Sequence, residues 1–253
     1  MAGGAPIGWA VSALLLSLRV APVFAFAPPF TLVRMPRTFR MLLSLGIAAC
    51  LVAAHPAAAA LTDAGAGALV LIGVKELLLG TIFLVAFQLT FAALQVAGRA
   101  IDIQAGFGLS LLIDPTTRGS VPLVGTLFVY AAAAVFFAEG GHFELLRLFA
   151  ASLDAAPLGG WQLPASPGHL IAFISAVFVT AFGVAAGAML ALFVADLAIA
   201  MLSRTVPQMN VLILGFQVKT IVLLLVLPIT FGTAGALLAR MTRLTLEALP
   251  GML

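Results

Sequence analysis

Long apolar runs separated by short polar breaks set the pattern of this chain. Six runs stand out, at about 7–27, 41–61, 66–98, 121–138, 169–203 and 210–239. Each is near or above the roughly 20 residues that an α-helix needs to cross a bilayer. The runs at 66–98 and 169–203 are long enough for tilted or bent helices that pass beyond the hydrocarbon. The alternation of polar and apolar positions that marks membrane strands is not seen, which argues against a β-barrel. The pattern predicts an all-α, polytopic membrane-type protein.

The breaks are as readable as the runs. Pro28-Pro29 ends the first helix, His55-Pro56 interrupts the second, and Asp63 with Gly65 and Gly67 makes the next turn. Two further breaks are richer. Gln104-Ala-Gly-Phe-Gly-Leu-Ser-Leu-Leu-Ile-Asp-Pro-Thr116 and Arg204-Thr-Val-Pro-Gln-Met-Asn-Val-Leu-Ile-Leu-Gly-Phe216 place polar, Gly and Pro residues between oily stretches. Non-helical backbone at membrane depth must be covered by protein or line a cavity, because lipid satisfies no free N–H or C=O.

Composition narrows the class. Of the 253 residues, 63% are hydrophobic and 8% charged, against roughly 25% charged in a soluble domain. Such a chain cannot wet a folded surface; it spans a membrane or is buried among hydrophobic partners. The 24 Gly and 14 Pro suit closely packed, kinked membrane helices. Cys50 is the single cysteine, so no intrachain disulfide and no cysteine-based zinc site is possible. The net charge of +3 is too small and too dispersed to argue for nucleic acid. Ala25-Phe26-Ala27 resembles a signal-cleavage site, but no basic region precedes it and Arg19 interrupts the run, so a retained membrane helix is expected.

Charge placement conflicts with a simple topology. With six spans and the N-terminus outside, Arg34, Arg37, Arg40, Arg99, Arg118 and Arg204 fall on cytoplasmic loops, but Arg147, Arg240 and Arg243 fall outside. Arg19, Lys75, Glu76, Asp196 and Lys219 sit well within the runs. A charge at mid-bilayer costs about 2.5–3.5 kcal/mol even on the lenient insertion scale. Pairing within the chain or with partner subunits is the expected remedy, and a proton relay is the functional alternative. Arg99 and Asp102, three apart, are expected to pair locally.

Residue types leave several readings open. Gly106 and Gly108 permit a positive φ or close backbone approach, Phe107, Leu109, Leu111, Leu112 and Ile113 are apolar, and Asp114-Pro115 stops a helix. On these types alone, an ordinary helix-to-helix connection is the simpler reading. Pro207, Gln208 and Asn210 suit either a capped turn or a partner contact, with Arg204 able to clamp a carboxylate or carbonyl. His55, His142 and His169 lack metal-ligand spacing. No nucleophile elbow, phosphate loop or catalytic carboxylate pair is found, and Gly106-Phe-Gly108 follows no strand. No enzyme and no cofactor are expected.

Four blocks, in order, resemble one family. Gln95-Val-Ala-Gly-Arg-Ala-Ile-Asp-Ile-Gln-Ala-Gly-Phe-Gly108 followed by Asp114-Pro115 is similar to the central signature of the FliR export-gate family. Glu139-Gly-Gly-His142 with its Leu-rich helix resembles the next block, and Ser203 to Lys219 the most distinctive one. Arg19-Val-Ala-Pro-Val-Phe24 and the basic turn through Arg40 also fit. Flagellar members more often carry Pro at the position of Gln217.

The resemblance implies a single export-gate domain across 1–253, FliP-like over about 1–165 and FliQ-like over about 166–253, built of bent helical hairpins stacked helically. It implies one copy assembled with five FliP and four FliQ, working with FlhA and FlhB at the bacterial inner membrane in the flagellar basal body. Unfolded flagellar subunits would pass through the pore, and residues 106–115 would hang in it as an apolar plug. The alternatives are the equivalent subunit of a virulence injectisome and, from another class, a stand-alone secondary transporter.

Overall fold

A computed structural model describes residues 4–57, 65–107, 122–162, 168–206 and 211–250. Its helices are α1 (Gly4–Phe26), α2 (Pro28–Thr31), α3 (Arg37–Ala54), α4 (Ala66–Gln104), α5 (Leu123–Ala138), α6 (Gly141–Ala155), α7 (Gly168–Thr205) and α8 (Val211–Ala248). The described residues contain no strand, and the protein is all-α. Five helices among them are long and apolar enough to cross a membrane: Ile7–Phe26, Arg37–Ala54, Ala66–Gln104, Gly168–Thr205 and Ile213–Ala248. The expected span at 121–138 is not a free-standing helix. Its last turn meets Glu139-Gly140, where Gly140 adopts φ +74°, and the chain bends by 70° into α6. The pair α5 and α6 makes a sixth span only if the two count as one.

The prolines act where the pattern placed them. α1 stops at Phe26, and Pro28-Pro29 occupy the first turn of α2, where a missing N–H costs nothing. α3 stops at Ala54, directly before His55-Pro56.

The chain divides into two compact units. The first holds Met1–Leu89, Phe136–Ile174 and Arg243–Leu253; the second holds Thr90–Val135 and Ser175–Thr242. Thus α4 contributes its first part to one unit and its last part to the other.

In the first unit α1 and the start of α4 run parallel. Leu15 and Leu18 face Gly73, Arg19 meets Glu76, and Gln88 donates to the Phe26 carbonyl at 2.9 Å. α3 and α6 run antiparallel to α1. Ala13 and Leu16 pack with Ala48, Val52 and Leu153, and Arg40 donates to the Ala25 carbonyl at 2.6 Å. Phenylalanine makes up much of the remaining core, beside Leu79, Leu145 and Trp161. Phe83 and Phe149 lie 5.3 Å apart, Phe87 and Phe136 5.8 Å, and Phe24 and Phe30 4.5 Å, within the range at which ring pairs add to area burial.

The second unit is built from two antiparallel hairpins. The end of α4 turns back along α5, and α7 turns back along α8, with Ile199 beside Gly215. Small residues set the spacing. A Cβ on Gly98 would lie 2.8 Å from the Val124 carbonyl carbon, and one on Gly125 2.8 Å from the Gln95 carbonyl oxygen. Only glycine allows the main chains of α4 and α5 to meet this closely. α7 buries Val177, Ala181, Ala185, Ala188 and Leu192 along one face, at the three- and four-residue spacing of a helix stripe. Phe128 packs edge-on to Phe231 at 5.5 Å.

Candidate functional site

Among the described residues, two polar clusters stand out against the apolar packing, one in each unit. The first is centred on Arg19, which is completely buried. Its Nε donates to Glu76 Oε2 at 2.6 Å and its Nη2 to Glu76 Oε1 at 3.0 Å. This is the bidentate fork that suits guanidinium and carboxylate. The remaining donors go to Ser152 Oγ at 3.1 Å and to the Ala156 carbonyl at 2.9 Å. Glu76, also fully buried, accepts in addition the Gly159 N–H at 3.0 Å. Lys75 Nζ closes the cluster by donating to the Gly159 carbonyl at 3.0 Å.

Lys75 and Glu76 are sequence neighbours, yet they serve opposite sides of one turn. Successive residues on a helix point about 100° apart, and the two reach Gly159 from different sides, Glu76 at its N–H and Lys75 at its carbonyl. The cluster therefore joins α1, α4, α6 and the turn at 156–159. Ser152, Ala156 and Gly159 could not be chosen from the sequence, since two of them act through main-chain atoms.

The second cluster surrounds the exit from α4. The helix ends at Gln104, Gly106 takes φ +92°, and the chain turns out. The Phe107 N–H donates to the Asp102 carbonyl at 2.9 Å and the Gly106 N–H to the Ile103 carbonyl at 3.1 Å. That pair of bonds is a Schellman motif, whose left-handed residue is normally glycine. Lys219 Nζ, from α8, donates to the Gln104 carbonyl at 3.2 Å. A cation at a helix C-terminus also meets the negative end of the helix dipole. Lys219 is in turn ion-paired with Asp196 of α7. The Gln104 side chain reaches α7 as well, donating to the Met189 carbonyl at 3.0 Å. Phe107 packs edge-on to Phe216 at 6.2 Å.

The re-entry into α5 is fastened from the same helix. Pro122 precedes Leu123 and has no side-chain oxygen to cap the first turn, which leaves its N–H groups without a local acceptor. Buried Asp102 fills that role: both of its carboxylate oxygens lie 3.2 Å from the Val124 nitrogen and accept its N–H. A carboxylate there also meets the positive end of the α5 dipole. The local Arg99–Asp102 ion pair expected from their spacing is thus not the arrangement formed; Asp102 turns across to α5.

Of the remaining candidates, Gly108, Leu109, Leu111, Leu112, Ile113, Asp114 and Pro115 lie outside the described residues, as do Pro207, Gln208 and Asn210. Arg204 sits exposed in the last turn of α7.

Comparison with known proteins decides the lineage. The model of the family described as bacterial export proteins, family 1, matches residues 10–245. The chain belongs to that family. Among its relatives is the flagellar biosynthetic protein FliR of Bacillus subtilis, 32% identical over 191 residues, which cover 72% of each chain. FliR of Escherichia coli is 26% identical over 148 residues, 57% of this chain and 56% of that one. Yop proteins translocation protein T of Yersinia pestis is 28% identical over 165 residues, 64% of this chain and 62% of that one. The match to the E. coli protein thus spans little more than half of its length. The chain is a multi-pass membrane protein of the FliR-type family of type III export.

Proposed function

We propose that this chain is the FliR-type core subunit of a flagellar type III export gate in a bacterial inner membrane. In this reading it nucleates the FliP–FliQ assembly, its first 165 residues standing where a FliP would and the remainder where a FliQ would. It contributes residues 106–115 as an apolar plug to the closed pore, through which unfolded flagellar subunits handed on by FlhA and FlhB would pass. The family match along residues 10–245 carries the proposal. The apolar run from Phe107 to Ile113 supports the plug, because an apolar constriction excludes ions by dewetting yet yields to a passing chain.

The test is co-expression with FliP and FliQ. Co-purification in fixed, unequal numbers supports the reading, and a lone monomer or dimer that transports a solute overturns it. Deleting residues 109–113 should leave the complex assembled but leaky to ions. Unchanged conductance of an intact complex removes the plug role.

The likeness to the Yersinia translocation protein supports a second reading, the equivalent subunit of an injectisome. Complementation separates the two. Restored motility in a strain lacking its own FliR supports the flagellar role, and restored effector secretion alone supports the other.

A further inference from the structure

The turn between α2 and α3 gathers positive charge that the surrounding chain leaves uncompensated. Arg34, Arg37 and Arg40 follow one another at three-residue spacing, and no Asp or Glu precedes Asp63. Arg40 is engaged inside the fold, its Nη1 donating to the Ala25 carbonyl at 2.6 Å. Arg34 and Arg37 are exposed, and among the described residues neither forms an ion pair. Arg19, Arg147 and Arg243, by contrast, each meet a carboxylate. The first turn of α3 holds no acidic residue either. The turn itself is held from within the first unit, because Phe30 packs against Phe24, Phe136 and Phe137. The two exposed arginines therefore leave from a fixed stretch of backbone.

The helix that follows is apolar nearly all the way round. Ser44, Ala48 and Val52 form its buried stripe. Phe39, Met41, Leu42, Leu43 and Leu45 are exposed, and at about 100° per residue they spread over the rest of the circumference. Only 22% of the Arg37–Ala54 span is buried within the chain. A protein neighbour covers one side of a helix, whereas a girdle of this kind fits lipid chains. Cations at the end of the girdle then fit the headgroups beside those chains.

We propose that Arg34 and Arg37 bind the phosphate groups of anionic phospholipids at the level where α3 enters the bilayer. A guanidinium takes two phosphate oxygens at once and is more weakly hydrated than an ammonium. The bound lipid would anchor this corner of the first unit, and the contact stands independently of any gating role.

Native mass spectrometry of the intact chain in neutral detergent tests this, with phosphatidylglycerol and phosphatidylcholine of the same acyl chains as probes. Phosphatidylglycerol should bind the more tightly. Arg34→Gln with Arg37→Gln should weaken its binding by about thirty-fold, the product of two losses of about five-fold. Phosphatidylcholine binding should not change. Arg34→Lys with Arg37→Lys should keep most of the preference, because the charge is retained. Arg147→Gln, which removes an exposed charge on α6, should leave the preference intact. A merely structural role would lower the melting midpoint of the double Arg→Gln variant without separating the two lipids.

Equal binding of the two lipids, or full phosphatidylglycerol binding by the double Arg→Gln variant, overturns the proposal. So does displacement of the lipid by millimolar inorganic phosphate, which would make this a site for a free anion. Loss of a co-purifying protein from the double variant, with lipid binding unchanged, would assign the arginines to a protein contact instead. If the double variant does not fold, Arg34→Gln alone decides, because Arg34 lies outside the helices and its five-fold loss is still measurable.

Discussion

The two polar clusters use the same chemistry at opposite levels of commitment. Around Arg19 both partners of the ion pair are fully buried, and Arg19 makes four hydrogen bonds to three other residues. Around Lys219 the side chain keeps 21% of its surface and its partner Asp196 keeps 41%. A fully desolvated charge is tolerable only while every partner stays in place, so the first cluster has one workable arrangement. The Lys219–Asp196 pair is only partly covered by this chain, so fewer of its contacts are fixed from within. Burial thus separates an ion pair enclosed within the first unit from one left partly uncovered in the second.

The largest effect should come from breaking the first cluster on one side only. Arg19→Met leaves Glu76 buried without its counter-ion, and a loss of roughly 3–5 kcal/mol is expected. Thermal unfolding of the purified complex would read it, and an unchanged midpoint would show that Glu76 has other support. Adding Glu76→Leu to Arg19→Met should recover much of the loss, since an apolar pair of similar volume often matches a buried ion pair.

A smaller effect tests packing instead of charge, within the second unit. Gly98→Val places a branched side chain where the backbone of Val124 already lies, and overpacking of that kind costs about 1–3 kcal/mol or more. Gly183→Ala should be near neutral, because nothing lies within 4 Å of a Cβ there. Equal losses in the two variants would remove the close α4–α5 contact from the account.

The smallest effect belongs to the surface. Arg147 and Glu144 form an ion pair at 2.6 Å with side chains 77% and 52% exposed. Arg147→Ala should change stability by only about 0–0.5 kcal/mol. A larger shift in the melting midpoint would mean that this pair behaves like the buried one.

Much of the architecture was legible because it depends on local signals. Pro28-Pro29 and His55-Pro56 stop helices for steric reasons that need no neighbour, and Gly106 takes the left-handed conformation its position invited. The polar clusters were legible only in half. Arg19, Glu76, Asp196 and Lys219 announced themselves as charges in apolar runs, but their partners did not. Ser152 is 133 residues from Arg19, and Ala156 and Gly159 contribute main-chain atoms that any residue carries. Asp102 was read by its nearest charge, Arg99, when the telling signal was the helix start at Pro122-Leu123 with no acceptor of its own. The 70° bend between α5 and α6 lies at Glu139-Gly140, just past the end of the apolar run at 121–138, and hydropathy carried no sign of its angle.

The meeting of Gly98 with Gly125 has a mechanical result. Where two helices touch through their main chains, no rotamer change is available to take up sliding, so displacement at one end travels undiminished to the other. The hairpin of α4 and α5 is therefore stiff where Gly98 meets Gly125, and its two helices move there as one piece.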